Sequence, residues 1–293
     1  MGFKEEIITS FKSGNTLTKL IYINLGVFLI VGLVNVVLLL FNISRGWIDQ
    51  SLALSSQFGV LIRNPWTLFT YMFLHYQFIH LIINILTLYW FGKIFLEYYS
   101  QRDLVGLYIF GGLLGGLLYF IAYATLPLFQ NQYASLCGAS AAIMAIIVAC
   151  AYTDPERSIR LVLFGNVKVK WLAVFAIVVS LLNVASENAG GNISHLGGAL
   201  GGFFYVFALR KGKNLTSGIN KAIDSIVNLF KRNKAPKMKV TYNQRPMTDQ
   251  EYNYAKRQES EQIDIILDKI KKSGYDSLSK EERDKLFTAS RRK

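Results

Sequence analysis

Four polar residues in otherwise apolar segments have side chains suited to nucleophilic attack on a carbonyl group. Ser140 opens a run of small and apolar residues, and His195 lies near the start of another. The imidazole of His195 could accept the proton of the Ser140 hydroxyl as it attacks a carbonyl carbon. His80 and Asn84 are four residues apart and therefore share one face of a helix. Their side chains and the backbone N–H of Ser140, at a helix N-terminus, could donate hydrogen bonds to the oxyanion.

Each of these residues also has a structural interpretation, which the sequence leaves open. A serine among small residues commonly bonds to its own helix backbone, and Asn84 could hold two helices together. The histidines could bond neighbouring helices, His75 above all. A metal site built from His75, His80 and His195 is disfavoured because their spacing sets no shared face, and no cofactor is expected. Since Glu187 is the nearest acidic residue to His195 in these segments, packing would have to position that imidazole.

The composition predicts a membrane protein built from helices. Of the 293 residues, 52% are apolar and 17% are charged, and the mean hydropathy is +0.30. This is more apolar than an ordinary soluble domain. A helical span needs about 20 apolar residues, and the sequence has six candidate runs. The runs are 20–41, 68–96, 104–126, 138–152, 169–184 and 193–209. We therefore expect an all-α fold in which six transmembrane helices form a bundle.

The fourth run differs from the others because it is short. Its 15 residues reach only about 22 Å as a helix, whereas the hydrocarbon core is about 30 Å thick. If one end of this helix lies at the membrane surface, the other end stops inside the membrane, where protein or a water-filled cavity must shield the backbone. We expect the fourth helix to be partly buried, with Ser140 in its first turn, below the outer surface and reachable by water.

The Lys and Arg residues predict the orientation of the chain and one class of partner. They flank the first run and lie between runs 2 and 3, between runs 4 and 5, and after run 6, so both termini are expected in the cytoplasm. Of the net charge of +13, most belongs to the segment after residue 209. Anionic lipid headgroups are the expected partner of this basic tail. Nucleic acid is not expected, because no recognition motif accompanies the charge.

Composition also divides the chain into four parts. Residues 1–19 form a polar N-terminus and 20–210 the six-helix domain. Residues 211–247 contain a basic amphipathic helix, with Ile219, Ile223 and Phe230 on one stripe, followed by a linker. Residues 248–293 form a small helical cytoplasmic extension.

The motifs taken together resemble those of the rhomboid intramembrane serine proteases. The motifs are Phe73-Leu74-His75, His80-x-x-x-Asn84, Gly138-x-Ser140 and His195-x-x-Gly198-x-x-x-Gly202. The resemblance covers about residues 15–210. It implies a Ser140 nucleophile, a His195 general base and an oxyanion hole formed by His80, Asn84 and the Ser140 amide. It implies that membrane-spanning proteins are cut near helix-destabilising segments, here in a bacterial inner membrane. The residues with a supporting role would be His75, Trp66, Gly138, Gly198, Gly202 and Met144.

The sequence departs from the family pattern at four places. Ala141 stands where the family usually has Gly, and Met144 where it often has an aromatic that packs on the histidine. A thioether can also pack against a ring. Thr67 replaces the Arg that usually follows Trp66, and Ser194 replaces the usual Ala. The alternative function is a catalytically weak or inactive relative that binds membrane clients. The presence of both Ser140 and His195 argues against it.

Overall fold

The computed structural model describes residues 11, 14–44, 46–161, 165–230 and 249–290. These residues belong to two compact units, the first within 1–232 and the second within 233–293. The helices of the first unit are α1 (Thr16–Leu40), α2 (Gly46–Leu52), α3 (Phe58–Arg63), α4 (Thr67–Thr70), α5 (Phe78–Tyr98), α6 (Gln101–Thr125), α7 (Ser140–Thr153), α8 (Val169–Leu182), α9 (Ala189–Arg210) and α10 (Ser217–Phe230). Single 3-10 turns cover Tyr71–Phe73 and Pro127–Phe129. Short antiparallel pairs join β1 (Leu54–Ser55) to β2 (Ser135–Leu136) and β3 (Ser158–Leu161) to β4 (Gly165–Lys168).

Within the described residues, four helices are long and apolar enough to cross a membrane: α1, α5, α6 and α9. Two of these begin at polar caps that satisfy their first backbone N–H groups. Asn15 accepts a bond from the N–H of Thr18 before α1, and Ser100 and Asp103 form a reciprocal capping box before α6. The chain is thus a helical membrane protein. Helices α7 and α8 are apolar but have 14 residues each, which gives them a length of about 21 Å.

The second predicted run begins differently from the expectation. Residues 68–96 read as one interrupted run, but the structure has α4, a 3-10 turn and an extended stretch before α5 begins at Phe78. The extended stretch contains Leu74 and His75, both buried. This stretch has no helical pattern of backbone hydrogen bonds. Bonds between side chains and backbone stabilise it instead, and His75 makes several of them. Apolar periodicity alone could not show this, because buried loop and buried helix are equally apolar.

Helix α7 forms the centre of the first unit. Its residues from Ala141 to Cys150 are all buried, because α5, α6, α8 and α9 pack around it. The segment between α1 and α5 covers one end of the bundle. There the Trp66 Nε1–H donates to the carbonyl of Ser51 at 2.7 Å, and the Thr70 hydroxyl donates to the carbonyl of Leu52 at 2.8 Å. These two bonds and the β1–β2 pair fix the covering segment beside the start of α7.

The other end of the bundle carries charged contacts. Glu156 pairs with Lys168 at 2.6 Å and also with Lys170 across the β3–β4 hairpin. These two ammonium groups hold the pKa of the Glu156 carboxyl at about 2, well below its usual range. Arg210, at the end of α9, donates to the carbonyl of Tyr152 at 2.7 Å. The ends of α7 and α9 remote from Ser140 are therefore tied together.

Helix α10 packs on α6, where Gly106 leaves room for Thr216 and Asn220. Arg102 on α6 pairs with Asp224 on α10 at 2.8 Å. Ile226 and Val227 remain exposed. The amphipathic helix that the sequence grouped with the linker thus belongs to the first compact unit, and the predicted linker, 233–247, lies outside the described residues.

The second unit is a helical hairpin of α11 (Asp249–Ser273), a 3-10 turn (Tyr275–Ser277) and α12 (Lys280–Ser290). A capping box precedes α12, since the backbone N–H of Ser279 donates to Glu282 at 2.7 Å and Ser279 Oγ accepts from the N–H of Glu282. Ile266 and Leu278 are its buried apolar side chains among the described residues.

Candidate active site

Ser140 and His195 meet at the covered end of the bundle. Ser140 is the first residue of α7, and His195 lies in the second turn of α9. The Nε2 atom of His195 is 2.7 Å from the Oγ atom of Ser140, a normal hydrogen-bond distance for a nucleophile and its base. Both residues are half-buried. Because the backbone N–H of Ser140 is in the first turn, it has no partner within the helix and can donate to a developing oxyanion.

Small residues bring α7 close to α6 on one side and to α9 on the other, and we call this arrangement the glycine clasp. A Cβ atom added to Gly198 would lie 2.0 Å from the carbonyl oxygen of Ala141, and one added to Gly202 would lie 2.2 Å from that of Ala145. On α6, Gly111 and Gly115 leave space for the methyl groups of Ala145 and Ala141. A Cβ atom added to Gly111 would lie 2.3 Å from the Cβ of Ala145, and one added to Gly115 would lie 2.6 Å from the Cβ of Ala141. The backbones therefore touch, and this contact sets the distance between Ser140 and His195.

The glycine clasp also accounts for one departure from the family pattern. Ala141 carries a methyl group where the family usually has none, and Gly115 supplies the space for it. Met144 lies in the buried core with 6% of its surface exposed. Neither residue interrupts the bond between Ser140 and His195.

Ser180 makes the second hydrogen bond of His195 and is absent from the sequence-based site. Its hydroxyl oxygen lies 3.1 Å from Nδ1 of His195, and its side chain is 3% exposed. The expectation that packing would position the imidazole was therefore incomplete. One signal was available, because Ser180 is the single polar residue in the stretch 171–182, and polar residues within a span mark functional candidates.

His75 connects the loop before Ser140 to Asn84. The backbone N–H of Ala139 and the side-chain amide of Asn84 both donate to Nε2 of His75 at 3.3 Å. Nε2 must therefore be the unprotonated nitrogen, and Nδ1–H donates to the carbonyl of Phe73, also at 3.3 Å. Asn84 makes a further bond to the carbonyl of His80 at 2.9 Å. Both N–H groups of Asn84 are thus engaged in the free protein, and it must release one to donate to an oxyanion.

His80 lies against Gly138. A Cβ atom on Gly138 would be 2.8 Å from Cε1 of His80, and the glycine has a φ of +120°. Its N–H donates to the carbonyl of Tyr71 at 2.9 Å. The rings of His80 and His75 are 5.2 Å apart, edge to face. Gly138 is therefore needed both for its backbone conformation and for the close approach of His80 to the loop before Ser140.

Replacing Gly138 by alanine is expected to destabilise the protein and displace His80. An unfavourable φ costs about 1–3 kcal/mol, and the new methyl group adds a contact with the His80 ring. Gly212 is a matched control, because it also has a positive φ, +72°, but no atom within 4 Å of an added Cβ. We expect the thermal midpoint to fall more for Gly138→Ala than for Gly212→Ala. Equal decreases in the thermal midpoint of the two variants would show that the contact with His80 does not contribute to the destabilisation.

A cavity of about 630 Å³ opens beside this site. Gly190 and Gly191 in the first turn of α9 form part of its wall, one turn from His195. Polar, aromatic and aliphatic side chains line the rest, including Tyr76, Gln77, Ile79, His80, Ile83, Tyr119, Tyr123, Leu136, Cys137 and Glu187. Among the described residues, no group of three or more His, Cys, Asp or Glu side chains is arranged to hold a metal ion. The arrangement can activate a serine hydroxyl and admit water beside it.

Comparisons with known proteins identify two families that match parts of this chain. The model of the rhomboid domain matches residues 63–212, and a family of unknown function (DUF6576) matches residues 247–292. The chain is 31% identical over 160 residues to RHOMBOID-like protein 12, mitochondrial, of Arabidopsis thaliana, which covers 50% of this chain and 47% of the relative. It is 28% identical over 138 residues to Presenilin-associated rhomboid-like protein A, mitochondrial, of Danio rerio, which covers 46% of this chain and 35% of the relative.

The matches with these relatives span less than half of each relative's length. The rhomboid model, in contrast, covers just over half of the 293 residues and includes Ser140, Ser180 and His195. This chain therefore belongs to the rhomboid family.

Proposed function

We propose that this chain is an intramembrane serine endopeptidase that cleaves membrane-spanning proteins. The observation that carries the proposal is the 2.7 Å bond between Ser140 Oγ and His195 Nε2 at the start of a buried helix, next to a cavity that His80 lines. His195 takes the proton of Ser140 as Oγ attacks the substrate carbonyl, and the Ser140 N–H with the side chains of His80 and Asn84 stabilises the oxyanion. His195 then protonates the leaving amine. Water from the cavity hydrolyses the acyl-enzyme.

The substrate must offer an extended backbone at the cleaved bond. Peptide bonds within a helix are shielded by their hydrogen bonds and by side chains, so cleavage is expected where a span unwinds readily. Glycine weakens a helix by about 0.5–1 kcal/mol relative to alanine. Segments with Gly or other small residues near the cleaved bond are therefore the proposed sites of attack.

Covalent labelling of Ser140 tests the proposal. A fluorophosphonate reacts with a serine hydroxyl only when a base activates it, so the purified chain should be labelled and S140A should not. The same pair is then compared for cleavage of a single-span substrate in reconstituted vesicles. Labelling and cleavage that persist in S140A would exclude Ser140 as the nucleophile.

The second candidate is a catalytically weak or inactive protein that binds membrane clients. The departures at Ala141 and Met144 are the observations in its favour. A wild-type chain that binds a single-span protein but is neither labelled nor cleaves it would support this candidate.

We also propose six membrane spans with both termini in the cytoplasm. In support, α7 packs against α5, α6 and α9, α8 packs against α7 and α9, and most Lys and Arg residues near the runs lie in loops on one side. We propose a bacterial inner membrane, the location that the resemblance to the rhomboid proteases implies. Reporter fusions after Leu126 and after Arg210 test the orientation. A reporter active outside the cytoplasm at the second position would contradict it.

The basic segment after α9 is the proposed contact with anionic lipid headgroups. Lys211 and Lys213 lie next to α10, whose Ile226 and Val227 are exposed and could enter the membrane interface. Binding of a peptide covering residues 210–247 to anionic vesicles should weaken as salt rises. Binding of the peptide to anionic vesicles that does not change with salt would contradict the proposed contact with lipid headgroups.

A further inference from the structure

Ser180 is placed where a polar side chain is costly unless it has a partner. Helix α8 buries one stripe, formed by Val169, Ala173 and Ser180. Val179 and Leu181, on either side of Ser180, are 39% and 59% exposed. Ser180 itself is 3% exposed. A buried hydroxyl needs a hydrogen-bond partner to offset its desolvation, and the partner here is Nδ1 of His195, at 3.1 Å.

The role of the bond between Ser180 and His195 depends on which ring nitrogen of His195 carries the proton. A neutral imidazole carries a single N–H. If His195 is to accept the proton of Ser140, its Nε2 must be unprotonated and its Nδ1 protonated. Nδ1–H then donates to Ser180 Oγ. In the other tautomer Nε2–H would donate to Ser140, and His195 could not act as a base.

We propose that Ser180 is a positioning residue, which holds the Nδ1 side of the His195 ring and accepts its N–H in the tautomer that can activate Ser140. The inference rests on the proposed protease function. During the reaction Nε2 gains the proton of Ser140 while Nδ1 keeps its own, so the bond to Ser180 persists in the neutral and the charged imidazole. Ser180 takes the place that a carboxylate has in a three-residue triad, but as a neutral acceptor.

The glycine clasp positions the backbone of His195, whereas the bond to Ser180 helps to orient its imidazole ring. Gly198 and Gly202 fix the backbone of α9 against α7, but they leave the His195 ring free to turn about its own side-chain bonds. Ser140 holds one nitrogen of the ring. Ser180, on a different helix, holds the other. Because both ring nitrogens are hydrogen-bonded, the imidazole ring keeps its orientation, and Nε2 stays aligned with the attacking hydroxyl of Ser140.

Steady-state cleavage in reconstituted vesicles tests the catalytic side of the inference. Because the lost bond is neutral, we expect Ser180→Ala to lower kcat about tenfold with KM unchanged. Ser180→Thr keeps a hydroxyl and should restore most of the rate. Ser194→Ala is the matched control: it removes the buried hydroxyl of the residue next to His195, and it should leave kcat unchanged. Equal rates for wild type and Ser180→Ala would overturn the inference while leaving the protease proposal intact.

The tautomer itself can be measured without any substrate. The chain has three histidines, so ¹⁵N-histidine labelling gives a small set of imidazole signals, and the His195 signals are those lost in His195→Ala. Wild type should show Nδ1 protonated and Nε2 unprotonated, and Ser180→Ala should show a mixture of tautomers. A wild-type His195 protonated at Nε2 would refute the inference, even if Ser180→Ala does not fold. If wild type has the expected tautomer but cleaves nothing, the protease proposal fails and the role of Ser180 in holding the ring stands.

Discussion

Replacing His195 by alanine is expected to lower the rate of substrate cleavage by about 10²- to 10⁴-fold, the usual contribution of a positioned general base. The 2.7 Å bond to Ser140 disappears, so the hydroxyl must attack with its proton in place. The fold should persist, because the helices around His195 are held by backbone contacts and not by its ring. The measurement is the cleavage rate of a single-span substrate in vesicles, together with the rate of fluorophosphonate labelling. Both rates should fall in parallel.

Ser194→Ala provides the control for this experiment. It changes the preceding residue on the same helix, which is 1% exposed, and the family usually has alanine there. Its rates should equal those of wild type. A His195→Ala variant that still cleaves at the wild-type rate, with an unchanged thermal midpoint, would exclude His195 as the base.

Replacing Gly198 by alanine is expected to reduce both stability and activity. The added methyl carbon would lie 2.0 Å from the carbonyl oxygen of Ala141 and 2.8 Å from its carbonyl carbon. That carbonyl belongs to the backbone of α7, so it cannot rotate away as a side chain would. Overpacking typically costs about 1–3 kcal/mol, and relief requires α9 to move away from α7. Such a movement lengthens the Ser140–His195 bond, so the cleavage rate should fall as well.

Gly26→Ala is the matched control for Gly198→Ala. Gly26 lies in α1, and an added Cβ there has no atom within 4 Å. Since alanine favours the helix by about 1 kcal/mol over glycine, this variant should be as stable as wild type or slightly more stable. The measurement is the thermal midpoint of each variant in detergent, paired with its cleavage rate. If both variants match wild type, the glycine clasp does not set the distance between α7 and α9.

The sequence predicted the parts of the site that residue type and local spacing determine. Ser140 and His195 could be singled out because each is polar in an apolar run, and the short fourth run predicted a helix with Ser140 in its first turn. Ser180 could not be paired with His195 in the same way. Its contact joins two helices, and only the rotation of α8 decides whether residue 180 faces α9 or lipid. An apolar helix with lipid on one side gives little periodic signal for that rotation.

The arrangement around His75 was also beyond the sequence. His75 was expected only as a supporting residue, and its spacing to Ala139 and Asn84 is too long for any helical rule. The bond between Ala139 and His75 exists because α5 starts late, at Phe78, and leaves His75 in an extended stretch. The same late start explains why the predicted run 68–96 was too long. A buried extended segment held by side-chain bonds is as apolar as a helix in sequence.

The glycine clasp has a consequence for how this molecule can vary. The alignment of nucleophile and base depends on carbonyl oxygens and methyl groups in the middle of the bundle, around Ala141 and Ala145. The cavity wall is made of other residues, such as Tyr123 and Leu136. Substitutions in the wall can therefore change which segment fits without disturbing the alignment. Under the proposed protease function, selectivity depends mainly on the cavity wall and reactivity on the middle of the bundle, and His80 belongs to both.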